Sequence, residues 1–147
     1  MTVDSSHGRT RARLYLDTSA YLCILLGEEG ADRLARETSA AELLSSVLLV
    51  LEARRNLIRL AREGVLTREQ YKVCLDRLEQ DIHLFVLRDV TLDLCQSRVM
   101  PAVITPRSLD LAHLRTALSF HAAEKIERFV TMDSAQEQAA KELGLPV

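Results

Sequence analysis

Short apolar runs alternate with longer stretches of helical periodicity in this 147-residue chain, and no tight hairpin signal joins any two of them. That pattern restricts the fold to strands that pair in parallel, because parallel neighbours need a crossover and each crossover here reads as helical. The expected class is α/β, a three-layer α/β/α sandwich with a parallel central sheet.

Leu14-Tyr15-Leu16 reads as the first strand, and the side-chain oxygens of Asp17-Thr18-Ser19 are placed to cap a helix over residues 20–26. Gly27 interrupts it, and Ala31, Leu34 and Ala35 share one face of a second helix within residues 28–38. Ser45-Ser46 is expected to cap a long helix through Val47, Val50, Leu51, Leu57, Ile58 and Ala61 that Gly64 ends. Thr67 with Gln70 is a capping-box signature for the next helix, which carries Tyr71, Cys74, Leu75 and Leu78. Residues 82–87 are apolar enough for a strand, residues 91–100 read as a helix, and Pro101 and Pro106 mark a loop. A helix follows over residues 108–121, then a strand at Phe129-Val130-Thr131. Asp133, with Gln136 three positions later, caps a last helix over residues 135–143 that Gly144 closes. Residues 1–13 are polar and aperiodic, so they are expected to form a flexible arm, leaving 14–147 as one domain.

A hydrophobic share of 48% with 27% charged residues suits a globular domain with a buried core. The longest apolar runs, 21–26 and 47–51, fall far short of the roughly 20 residues that cross a bilayer. No apolar leader region precedes the first strand, so a cytoplasmic location is expected. Cys23, Cys74 and Cys95 are far apart in apolar or helical surroundings, which reads as reduced packing residues rather than a disulfide framework or thiolate site. A net charge of −2 excludes a protein that grips nucleic acid over its whole surface and leaves only a local basic patch. An aromatic share of 4% argues against extensive base stacking.

In an open parallel sheet, ligands bind beyond the carboxyl ends of the strands, where the next helices begin. Asp17 and Asp133 stand there, Asp110 falls in the first turn of its helix, and Glu52 in the second turn of the long helix. Each has an ordinary explanation as a cap, a dipole partner or a solvated helix residue. Gathered on one rim they would repel unless a proton or cation is shared, and an all-oxygen set suits Mg²⁺ or Mn²⁺ rather than zinc.

Leu14-Tyr15-Leu16-Asp17-Thr18-Ser19 resembles the opening strand and first acidic position of PIN domains, especially VapC-type toxins of toxin–antitoxin systems. Ser46-x5-Glu52-Ala53-Arg54-Arg55 is similar to that family's second acidic segment. Leu109-Asp110-Leu111-Ala112-His113-Leu114 with Ala117-Leu118 is similar to its third. Phe129-Val130-Thr131-Met132-Asp133, through Gln138-Ala139-Ala140 to Leu143-Gly144-Leu145-Pro146-Val147, looks like the fourth segment and ending. The resemblance covers nearly all of the chain from Leu14 onward; the arm before it is a departure. It implies a PIN-like fold and a metal-dependent endoribonuclease, with Mg²⁺ or Mn²⁺ held by Asp17, Glu52, Asp110 and Asp133. It also implies Ser19 and Thr131 as supporting hydroxyls, RNA as substrate, a small antitoxin protein as partner and a homodimer. His113 looks like a histidine often found in the third segment, but a helical histidine is more often packed than catalytic, and it stays outside the catalytic set.

Metal-activated water in line with the leaving group would yield a 5′-phosphate and a 3′-hydroxyl, as the resemblance also implies. Arg54, Arg55, Arg59, Arg62, Arg107 and Arg115, together with the arginine-bearing arm before Leu14, are the candidate phosphate contacts, although most of these arginines are simply solvated. There is no Gly-x-Ser-x-Gly elbow, and His7, His83, His113 and His121 lack metal-ligand spacing. A receiver-like phosphoacceptor would need paired acids after the first strand. A haloacid-dehalogenase-type phosphatase would need an aspartate where Ser19 stands, and a dinucleotide-binding domain would need its Gly-x-Gly-x-x-Gly turn. The remaining alternatives are a PIN-like RNA-binding or regulatory module without turnover, and a housekeeping PIN nuclease with no antitoxin.

Overall fold

The computed structural model describes residues 11–98, 102–103 and 107–147. Among them, Arg13–Leu16 (β1), Glu42–Ser46 (β2), Phe85–Arg88 (β3) and Arg128–Val130 (β4) form one sheet in the order β3-β2-β1-β4. All three pairings are parallel, as the absence of hairpin signals requires. The crossovers are helical: Thr18–Leu26 (α1) and Ala31–Thr38 (α2) lead from β1 to β2, and Leu48–Arg62 (α3) and Arg68–Asp81 (α4) from β2 to β3. Leu92–Gln96 (α5) and Ser108–Ala123 (α6) lie between β3 and β4, and Ser134–Glu142 (α7) follows β4.

The three layers follow from the two-residue period of β1. Tyr15 faces Leu114, Ala117 and Phe120 of α6 and Ala139 and Ala140 of α7. Its neighbours Leu14 and Leu16 face the other way, onto Ala20 and Cys23 of α1 and Ala31 and Leu34 of α2. A strand buried on both sides is what helices on both sheet faces demand. On the second face α3 and α4 pack outside α1, where Leu49, Ala53, Leu57 and Leu78 bury Tyr21 and Leu25. The arrangement is the expected α/β/α sandwich. No helix among the described residues is long and apolar enough to cross a membrane.

Several local expectations need correction. Ser45-Ser46 ends β2, a strand the apolar pattern does not predict because its sequence Glu-Leu-Leu-Ser-Ser alternates poorly. Ser45 is fully buried and donates to the Leu16 carbonyl at 2.6 Å, whereas Ser46 keeps a capping role by accepting from Leu48 N. Of residues 82–87, Ile82–Leu84 is a 3₁₀ turn that continues α4, and the strand is shifted to Phe85–Arg88. The second helix begins only at Ala31, because Gly30 at its start is in the left-handed region with φ 86°. The helix expected over 91–100 ends at Gln96; residues 99–101 and 104–106, with Pro101 and Pro106, lie outside the described residues. β1 starts at Arg13, which belongs to the expected arm, while residues 1–10 are outside the described residues. The three cysteines are free, with Cys23 buried but Cys95 exposed, so Cys95 is no packing residue. The Thr67–Gln70 capping box forms in both directions, at 3.1 and 2.8 Å.

Candidate functional site

β2 and β3 extend the sheet to one side of β1, and β4 returns to the other, so the order of growth reverses between β1 and β4. Such a switch point opens a crevice at the carboxyl ends of the strands. Asp17 follows β1 directly, and its N–H donates to the Val130 carbonyl at the end of β4. As the N-cap of α1, Asp17 accepts from Ala20 N at 3.1 Å and from the Ser19 hydroxyl at 2.6 Å, both on Oδ1. Its Oδ2 accepts from the Thr131 hydroxyl at 2.5 Å. Thr131 in turn accepts from Asp133 N at 3.1 Å, and Asp133 Oδ1 caps α7 through Ala135 N and Gln136 N. Asp17, Ser19, Thr131 and Asp133 therefore share one hydrogen-bond network across the switch point.

Glu52 and Asp110 join that network from the two helical layers. Glu52 Oε1 accepts from the Thr18 hydroxyl at 2.9 Å, next to Asp17, and lies 2.8 Å from His113 Nε2. His113 is on α6, three residues beyond Asp110, and is only 2% exposed. The Asp110 carbonyl accepts from the Gln136 side chain at 2.9 Å, which ties the first turn of α6 to the first turn of α7. The links close a ring from α1 to α3, α6 and α7 and back to Asp17.

The electrostatics follow from this crowding. Burial raises the Asp17 carboxyl above its ordinary value, against the opposing hydrogen bonds from Ser19, Thr131 and Ala20. Asp110 is also raised, by burial first and then by the negative charge of Asp133, with Asp17 and Glu52 adding to it and Arg107 opposing. Burial alone would raise Glu52 as well, but His113, Thr18 and Arg55 outweigh it and hold that carboxyl below the usual range. The four acids thus come from four elements yet lie close enough for Asp110 to sense the other three.

Among the described residues, no group of three or more histidine, cysteine, aspartate or glutamate side chains that could hold a metal ion is found. The donor chemistry nevertheless suits one. Both Asp110 carboxylate oxygens, Oε2 of Glu52 and Oδ2 of Asp133 accept no hydrogen bond among the described residues, and all are hard oxygen donors. Asp17 contributes the most buried carboxylate, already oriented by three donors.

The sequence pattern leaves out four residues that build this site: Tyr15, Thr18, His113 and Gln136. His113 had a signal, since it lies on the face of α6 that buries Leu114 and Ala117, where an imidazole needs partners for both ring nitrogens. Gln136 is buried and turns to Asp110 rather than back to its own helix start, which no local spacing reveals. Of the candidate phosphate contacts, Arg59 pairs with Glu63 and Arg115 donates to Ser97, while Arg54, Arg55, Arg62 and Arg107 are exposed. No protein-family model matches the chain, and no curated protein matches it.

Proposed function

We propose that the chain is a metal-dependent ribonuclease of PIN type, the toxin of a toxin–antitoxin pair, that hydrolyses RNA phosphodiester bonds. The observation that supports this most is the grouping of Asp17, Glu52, Asp110 and Asp133 around a parallel-sheet switch point, with Asp110 raised first by burial and then by the charge of the others. Asp110, Glu52 Oε2, Asp133 Oδ2 and Asp17 would hold Mg²⁺ or Mn²⁺. When bound, such an ion lowers the pKa of a water and offsets phosphate charge. The residues around it do the rest: Ser19 and Thr131 orient Asp17, and His113 with Thr18 orients Glu52. Exposed Arg54 and Arg55 follow Glu52 on α3, Arg107 precedes Asp110 as the N-cap residue of α6, and these three supply charge for the RNA backbone.

The test is cleavage of a mixed RNA pool with added Mg²⁺ or Mn²⁺. Cleavage that disappears in chelator and in Asp110→Asn supports the reading; cleavage undiminished in excess chelator overturns the mechanism. A second reading, an RNA-binding or regulatory module without turnover, is favoured by the three hydrogen bonds already engaging Asp17. RNA retained equally with and without metal, and never cut, selects it.

A further inference from the structure

Three buried side chains, Tyr15 of β1, His113 of α6 and Thr18 of α1, form a continuous polar chain that ends on the half-buried Glu52 of α3. Tyr15 is fully buried, and its hydroxyl lies 2.8 Å from His113 Nδ1. Its two hydroxyl neighbours give their protons elsewhere, Ser45 to the Leu16 carbonyl and Thr116 to the Ala112 carbonyl. At the other end of the imidazole, Nε2 faces Glu52 Oε1 at 2.8 Å and the Thr18 oxygen at 3.1 Å. The Thr18 proton points at Glu52, so it is not available to Nε2.

An unprotonated Nε2 would set its lone pair against a carboxylate oxygen, so Nε2 carries a proton, and in the neutral imidazole Nδ1 is then the acceptor for the Tyr15 hydroxyl. We infer that His113 is a positioning residue whose Nε2–H, fixed by the Tyr15 hydroxyl on Nδ1, holds Glu52 by Oε1 and leaves Oε2 turned out as a ligand. Burial keeps the Tyr15 phenol protonated and hence a donor, which fits this assignment. The geometry is that of a histidine acting through a ligand rather than as one, the usual role of partners behind metal-binding carboxylates. Its consequence for metal affinity rests on the nuclease reading above; the tautomer does not.

Two measurements test it. In ¹⁵N NMR of the metal-free protein, His113 is expected to show a pyrrole-like Nε2 and a pyridine-like Nδ1, and Tyr15→Phe is expected to move the Nδ1 resonance. A pyridine-like Nε2, or a His113 spectrum indifferent to Tyr15→Phe, overturns the inference. In calorimetry with Mn²⁺, His113→Leu is expected to weaken binding about 10–100-fold, as loss of a ligand's supporting partner does. His113→Gln, whose amide places a donor near the Nε2 position, is expected to retain binding within a few-fold, a rescue that a packing role would not give. Equal affinity in His113→Leu and wild type overturns the positioning role. Should His113→Leu not fold, loss of binding in His113→Gln with its fold intact does the same. Should wild type take up no Mn²⁺, the nuclease reading falls, and the Nε2 resonance alone decides whether Glu52 is anchored by His113.

Discussion

Thr131 donates its hydroxyl proton to Oδ2 of Asp17 across 2.5 Å, joining the residue after β4 to the residue after β1 where the order of the sheet reverses. This bond counters the burial that raises the Asp17 carboxyl. Removing it, as in Thr131→Val, leaves the buried carboxylate short of one donor. The expected cost near neutral pH is about 1.5–3 kcal/mol, the range for hydrogen bonds to charged groups. A carboxyl whose folded pKa is raised is favoured protonated in the folded state, so its destabilisation grows as pH rises and fades as pH falls below its ordinary value. The deficit of Thr131→Val is therefore expected to shrink in acid. Urea unfolding at several pH values reads this directly, and a pH-independent deficit would mean that Thr131 acts only on Asp133 N.

Asp110 has the opposite character, a half-buried carboxylate without a hydrogen-bond donor among the described residues and with three acidic neighbours. Neutralising it in Asp110→Asn removes repulsion, so the variant is expected to be more stable than wild type near pH 7 by roughly 0.2–1 kcal/mol, the scale of partly screened charge pairs. The raised folded pKa fixes the sign: the gain exists above the ordinary carboxylate range and vanishes below it, where the wild-type carboxyl is protonated and as neutral as the amide. RNA cleavage is expected to fall at least about 10–100-fold in the same variant, since even outer partners of a metal ligand act on that scale. Thermal melts alongside cleavage assays check both. A variant that loses stability and activity together would make Asp110 a structural dipole partner of α6 instead.

Gln136 donates to the Asp110 carbonyl, but its own Oε1 is buried without a partner among the described residues. Gln136→Leu removes a hydrogen bond of about 0.5–1.5 kcal/mol together with a buried orphan acceptor that costs about 1–3 kcal/mol. The two nearly cancel, so stability is expected to change by less than about 1 kcal/mol. A loss well beyond that in urea unfolding would reveal that a buried water satisfies Oε1 in solution.

Strand, cap and helix at Leu14 to Leu26 were legible because three signals coincide there: an apolar run, a capping aspartate and a closing glycine. The Thr67–Gln70 box was legible for the same reason, being a purely local exchange of two hydrogen bonds. β2 was not, because what makes Glu42–Ser46 a strand is non-local: it lies between β1 and β3 and gains both neighbours only in the folded sheet. In the site, Asp17, Asp110 and Asp133 were candidates by their places at strand ends and a helix start, whereas Glu52, in the second turn of α3, was singled out mainly by the resemblance. His113 and Gln136 could not be assigned their tasks, since each acts on a residue of another element, 61 and 26 positions away.

The acidic rim also bears on how such an enzyme would be held inactive. Without metal, Asp17, Glu52, Asp110 and Asp133 concentrate negative charge, and Asp110 already responds to it. An arginine from a small inhibitory protein, placed among these carboxylates, would supply the missing positive charge through charge-assisted hydrogen bonds while blocking the path of RNA. The free oxygens of Asp110 suit a bidentate guanidinium, which a lysine cannot imitate. On the nuclease reading, inhibitor and metal then contend for the same oxygens. The affinity of a cognate antitoxin is expected to fall as Mg²⁺ rises, beyond the fall produced by a monovalent salt at equal ionic strength. Replacing the inserted arginine by lysine should weaken binding more than charge alone accounts for. Titration calorimetry across Mg²⁺ concentrations, repeated with Asp17→Asn/Asp110→Asn, reads both effects; an affinity that ignores metal and the double variant alike puts the inhibitor on another surface.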